Sequence, residues 1–136
     1  MFLFFFKLGT GNFSEVHEST HKQSGKEYAT KRVARKGLDE DDAVALKDEI
    51  TSLRTVQGCP YIISIRDVFE EPDYTFIVLE TFHGGDLIQR ILEKSNYTEW
   101  EAREVCKSLL IGVQYMHSRE IANRNLKPDN IFLMVR

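Results

Sequence analysis

Residues 98–117 leave the backbone little choice. Thr98-Glu99-Trp100-Glu101 has the form of a capping box, in which a Thr hydroxyl and a Glu carboxylate each satisfy an amide group that a helix start leaves unpaired. Behind it Ala102, Val105, Cys106, Leu109, Leu110, Val113, Met116 and His117 recur at i, i+3 and i+4 without a miss. That period predicts a long helix with one apolar face. Cys106 falls inside the stripe and reads as core, not as a nucleophile. His117 ends the stripe as a packing or capping residue.

Upstream the period changes to two. The run Met1-Phe2-Leu3-Phe4-Phe5-Phe6 is far too short for a membrane span. It has neither a basic leader nor a cleavage site, so it reads as a core strand and not as a signal peptide. Leu8-Gly9-Thr10-Gly11-Asn12-Phe13-Ser14-Glu15-Val16 then places glycines where backbone can approach a ligand and turn its amides toward phosphate oxygens. A dinucleotide fingerprint would continue into a helix, and a Walker A loop would end in Gly-Lys-Ser/Thr. Neither occurs, and a second extended stretch follows. His17 and His21 share one face of it without a third metal ligand, and read as solvated strand histidines.

After a turn at Gln23-Ser24-Gly25, residues 27–33 alternate so that Lys31 shares a face with Ala29 and Val33. Asp39-Glu40-Asp41-Asp42 opens a helix, where acidic residues suit the positive N-terminus. Ala43, Leu46, Ile50, Leu53 and Val56 form its apolar stripe and bracket Glu49. Gly58-Cys59-Pro60-Tyr61 breaks it. Residues 62–69, a turn at Glu71-Pro72-Asp73 and residues 74–80 then read as a hairpin. The expectation is an antiparallel five-stranded sheet with one helix, followed by helices.

Residues 121–132, Ile-Ala-Asn-Arg-Asn-Leu-Lys-Pro-Asp-Asn-Ile-Phe, flank a polar cluster with apolar residues and read as strand, loop, strand, with Pro128 fixing the loop. Taken alone this is a polar hairpin. Its spacing, however, resembles the catalytic loop of protein kinases, H-R-D-L-x-x-x-N with the Lys-Pro of the serine/threonine type. Arg124, Leu126, Lys127, Pro128 and Asn130 match, while Asn123 stands for His and Asn125 for the base Asp. The Gly9–Gly11–Ser14 turn resembles the family's glycine loop, Ala29-Thr30-Lys31 its third-strand lysine, and Glu49 the helix glutamate that pairs with it. Glu80-Thr81-Phe82 resembles the hinge. His83-Gly84-Gly85-Asp86-Leu87-Ile88-Gln89-Arg90-Ile91 is similar to the corresponding run of calcium/calmodulin-dependent kinases.

That resemblance covers the first half of a kinase domain, without Asp-Phe-Gly, activation loop or later helices, and implies a fragment of a longer product. The implied fold is α+β and protein-kinase-like: a small lobe over about 1–80, then the hinge and start of the large lobe over 81–136. The implied reaction moves the γ-phosphoryl group of ATP to a protein Ser or Thr. By resemblance Lys31 and Glu49 would hold the phosphates under residues 9–16, Lys127 would meet the γ-phosphate, and Asn130 would bind Mg2+. Leu8, Val16, Ala29, Leu79 and Phe132 would sandwich the adenine, the backbone of Glu80 and Phe82 would bond it, and Asp86 would reach the ribose. Asn125 would stand at the proton acceptor, work an amide cannot do at neutral pH. A pseudokinase-like nucleotide-binding or interaction module is therefore the alternative.

Composition adds limits. The 136 residues allow one domain with a modest core, and 42% apolar with 29% charged residues suit a globular chain. A net charge of −3 gives no electrostatic case for nucleic acid or an acidic membrane. Cys59 and Cys106 have no metal or disulfide spacing, as for reduced thiols in cytoplasm or nucleus. Partners implied are ATP and a protein substrate, with calmodulin-type regulation only through segments beyond these residues.

Overall fold

The computed structural model describes residues 2–10, 13–94 and 96–134, with backbone alone for 2–7 and 10. It forms two compact units, Met1–Gln57 with Ile63–Thr81, and Gly58–Ile62 with Phe82–Arg136.

The first unit is the expected sheet and helix. Strands β1 (Phe2–Thr10), β2 (Ser14–His21), β3 (Glu27–Ala34), β4 (Ile65–Glu70) and β5 (Tyr74–Leu79) pair antiparallel in the order β1-β2-β3-β5-β4. The fourth strand starts at Ile65, three residues later than its apolar pattern suggests. Register aligns Val16 with Lys31 and Lys31 with Ile77, and on the alternate face Glu15 with Arg32 and Arg32 with Phe76. Because directly opposed residues in a sheet share a face, Val16, Lys31 and Ile77 line one side and Glu15, Arg32 and Phe76 the other.

Helix α1 (Glu40–Thr55) begins at Asp39, whose carboxylate accepts the Asp42 N–H at 2.8 Å. Its stripe buries Ile50 against Ile65 and Ile77, with Leu46, Leu53, Val68 and Leu79 packed around them. Ile77 is wholly buried, and removing such a side chain from water contributes about 1.5–3 kcal/mol. On the sheet's other face Ser19 and Thr30 are also wholly buried and satisfy one another, Oγ to Oγ1 at 2.6 Å. That pairing removes the penalty of burying a lone hydroxyl.

The second unit holds α2 (Leu87–Glu93), α3 (Glu99–His117) and a 3-10 turn over Pro128–Asn130. The capping box is present in full: Glu101 N–H donates to Thr98 Oγ1 at 3.2 Å, and Thr98 N–H donates to the Glu101 carboxylate at 3.0 Å. The apolar stripe of α3 is only partly covered. Gly112 and Met116 are buried, while Leu110 is 66% exposed and Ala102, Cys106 and His117 lie at the surface. Cys106 is thus not core, because packing follows Gly112, where the chain passes close: a Cβ there would meet the Tyr61 carbonyl oxygen at 3.3 Å.

Residues 121–132 also differ from the strand–loop–strand expectation. No strand forms there. Extended backbone becomes a strand only with a hydrogen-bonding neighbour, and here that neighbour is one isolated bridge between Asp86 and Phe132.

Candidate active site

In the first unit the lysine and glutamate meet. Lys31 Nζ donates to Glu49 Oε1 at 2.7 Å and Oε2 at 2.8 Å. Two periods produce this contact: alternation on β3 aims Lys31 at the α1 side, and Ile50, buried one residue along the helix, turns Glu49 toward the strand. Both side chains are partly exposed, at 24% and 42%, so the pair adds little to stability. Its consequence is positional: a flexible ammonium is held in one place by two oxygens.

Around it Val16, Ala29 and Leu79 are half-buried, Ala29 being aligned with Leu79 across β3 and β5. Leu8 is 55% exposed and Ser14 half-buried. A side chain at Gly9 would meet nothing within 4 Å, whereas Gly11 lies outside the described residues. Glu80 is anchored twice to Ser64: its N–H donates to the Ser64 carbonyl at 3.0 Å, and its carboxylate accepts the Ser64 N–H at 2.6 Å. A ligand reaching the Glu80 backbone can therefore engage only the carbonyl.

In the second unit Phe82 and Phe132 stack, with centroids 6.4 Å apart and planes 12° apart. Their segments are joined by the Leu87 N–H to the Ile131 carbonyl at 2.8 Å and the Leu133 N–H to the Gly85 carbonyl at 2.9 Å. Gly84 makes this approach possible, since a Cβ there would lie 2.1 Å from the Leu133 oxygen. The Gly84-Gly85 pair was the sequence signal for it. Asp86 caps α2, its Oδ1 accepting the Gln89 N–H at 2.7 Å, so one of its oxygens already has a partner.

The polar loop is shaped by amides. Arg124 adopts φ +57°. The Asn125 N–H donates to the Asn123 carbonyl at 2.8 Å and to its side-chain oxygen at 3.1 Å. Asn130 Nδ2 donates to the Asn125 carbonyl at 2.9 Å, which leaves the Asn130 amide oxygen as its possible ligand for a hard cation. Lys127 is exposed. Among the described residues no group of three or more His, Cys, Asp or Glu could hold a metal ion, and no helix is long and apolar enough to cross a membrane.

The sequence pattern did not disclose a second charged cluster in the first unit. Glu15 accepts from Arg32 Nη2 at 2.6 Å, and Arg32 lies over the Tyr74 ring at 4.9 Å. Alternation alone marked Arg32 as facing away from Lys31.

Comparison with known proteins bears on the whole chain. A protein kinase domain model matches residues 3–136. A probable myosin light chain kinase of Dictyostelium discoideum is 34% identical over 125 residues, covering 92% of this chain and 32% of that protein. Myosin light chain kinase A of the same organism is 35% identical over 127 residues, covering 93% and 43%. Calcium-dependent protein kinase 5 of Solanum tuberosum is 36% identical over 129 residues, covering 94% and 24%. The chain thus spans less than half the length of each of these curated relatives.

Proposed function

The chain belongs to the protein kinase family, and on that premise we propose that it is the ATP-binding part of a serine/threonine protein kinase that phosphorylates a protein hydroxyl. The observation that supports this most is the Lys31 ammonium held by both oxygens of Glu49. A lysine fixed in this way presents a point charge suited to the α- and β-phosphates. Ala29, Val16, Leu79, Leu8 and Phe132 are the apolar candidates for the adenine, the Glu80 carbonyl and Phe82 backbone for its polar edge, and Asp86 for the ribose. Gly9, Gly11 and Ser14 would cover the phosphates, and Lys127 would approach the γ-phosphate.

The residues present fit magnesium only in part. Asn130 offers one neutral oxygen, whereas Mg2+ takes about six oxygen ligands and is often held through substrate phosphates. Magnesium-bound ATP would supply the phosphoryl group and the charge neutralisation that its transfer requires. The chain's own part is to position the nucleotide through Lys31 and to orient the acceptor hydroxyl at Asn125.

One residue favours a second reading, a catalytically impaired, pseudokinase-like nucleotide-binding or interaction module. The Asn125 amide can accept a hydrogen bond from a hydroxyl but cannot take its proton at neutral pH. Both readings keep nucleotide binding and share one test. ATP affinity measured calorimetrically should fall roughly tenfold or more in Lys31→Ala, on the scale of a charge-assisted hydrogen bond. Equal affinity in the two proteins would remove Lys31 from the site.

A further inference from the structure

Helix α1 rests on the sheet through Ile50, which meets Ile65 and Ile77. Apolar contact has no preferred direction, so it permits the helix to roll. A roll would carry Glu49, the neighbour of Ile50, away from Lys31. A polar contact just past the helix end opposes that motion. Gln57 follows the cap residue Val56, and its Nε2 donates to the Ile65 carbonyl at 2.6 Å. Only the NH2 end of the side chain can make this bond, because the carbonyl has no proton to give. Ile65 is a firm anchor. It opens β4, is buried, and is aligned with Leu79 of β5. Ser64, just before it, is held by Glu80 through both its N–H and its carbonyl. The position is also special in the chain, which leaves the first unit after Gln57 and rejoins it at Ile63. The Gln57 side chain thus joins the end of α1 to the start of β4 directly, inside the first unit.

We infer that Gln57 is a positioning residue for the Lys31–Glu49 pair: its bond to the Ile65 carbonyl fixes the end of α1 against β4 and sets the roll that brings Glu49 onto the lysine. The consequence for nucleotide rests on the reading of Lys31 as a phosphate ligand. A single partly buried hydrogen bond adds little to global stability. Its loss should leave the strands paired and α1 helical, because neither the sheet ladder nor the helix ladder runs through the Gln57 side chain. Glu49 would then hold Lys31 for less of the time. Triphosphate binding would weaken, while a ligand that needs only the apolar residues would not register the change.

The test compares the 136-residue chain with Gln57→Met, which keeps the length of the side chain and removes its donor, and with Gln57→Arg, which restores a donor. The first readout needs no nucleotide. Each chain is treated with a water-soluble amine-acylating ester, and the rate at each lysine is read by peptide mass spectrometry. Lys31 should be acylated roughly threefold faster in Gln57→Met, the scale of one hydrogen bond, because the Glu49 carboxylate shields its Nζ less. Lys47, exposed on the same helix, should react at an unchanged rate, and Gln57→Arg should return Lys31 to the slower one. The second readout is affinity: Gln57→Met should weaken ATP roughly threefold and leave adenosine unaltered. An unchanged rate at Lys31, equal acceleration at Lys31 and Lys47, or a Gln57→Arg chain as reactive as Gln57→Met would overturn the inference. So would equal weakening of ATP and adenosine, or unchanged ATP affinity. If the unaltered chain binds neither ligand, the nucleotide reading fails instead, and acylation at Lys31 decides: acceleration supports the tie between α1 and β4, and no change refutes it.

Discussion

The two units hold their polar groups in different ways. In the first, charged side chains fix each other: Lys31 on Glu49, and Arg32 on Glu15. In the second, the loop over residues 121–132 is shaped by amides and carbonyls. Asn125 takes part through its backbone, its N–H bonding Asn123 and its carbonyl accepting from Asn130. Apolar burial divides the same way. Ile50, Ile65 and Ile77 form a closed cluster in the first unit, whereas Leu92, Trp100 and Leu110 of the second are 78%, 68% and 66% exposed. Chemistry carried by paired charges cannot lose a partner without losing geometry. A loop built on backbone bonds can exchange a side chain and keep its shape.

The largest effect should come from the core contrast. Ile77→Ala is expected to destabilise the chain by about 2–5 kcal/mol, the range for emptying a buried aliphatic site. Leu110→Ala, on an exposed face, should stay within about 0.5 kcal/mol. Urea unfolding midpoints of the two variants would check this. Similar shifts would mean that the α3 face is covered in solution, and would erase the contrast.

Next in size is the chemical exchange at the loop. Asn125→Asp alters one atom of a side chain on which no hydrogen bond among the described residues of the loop depends, so the fold should tolerate it. In a chimera carrying these 136 residues on the remainder of a related kinase, the reversion should raise turnover by about 10²-fold or more, the scale of general-base assistance. ATP affinity should change little, because the restored interaction belongs to the transition state. Equal turnover in both forms would show that positioning suffices, and would remove the case for an impaired kinase.

How far the sequence could be read follows the same division. The sheet and α1 were legible because period two and period 3.6 are set by burial, and both Lys31 and Glu49 lie beside buried positions on the predicted faces. The capping box was legible because Thr98 and Glu101 act within one turn. Cys106 was misplaced because a helical stripe says which side is apolar, not how much of it finds a partner. The strands expected around Pro128 failed for a related reason: apolar flanks mark extended backbone, but pairing requires a neighbour, and only Phe132 met one. The Glu15–Arg32–Tyr74 network was beyond sequence reasoning, since it joins three strands whose order no local pattern specifies.

The smallest effect should be seen where the second unit fixes a charged side chain at the start of α3. Glu101 accepts from the Lys94 ammonium, from the Thr98 N–H and from the Thr98 hydroxyl. These donors, Lys94 first, lower its pKa from 4.5 to about 2. A carboxylate whose pKa is depressed by folding contributes stability that is present above its unfolded value and lost as pH falls through its folded one. The contribution should therefore be whole above pH 4.5 and fade toward pH 2. Glu101→Gln keeps an acceptor for the Thr98 N–H but does not titrate. Helical circular dichroism of the two proteins during denaturant unfolding should show the native chain more stable above that window, with the two converging at its acid end. Other carboxylates titrate in both proteins and cancel in the difference. A gap that stays constant across the window would mean that Glu101 acts through hydrogen bonds alone, and that the second unit, like its loop, is held without charge.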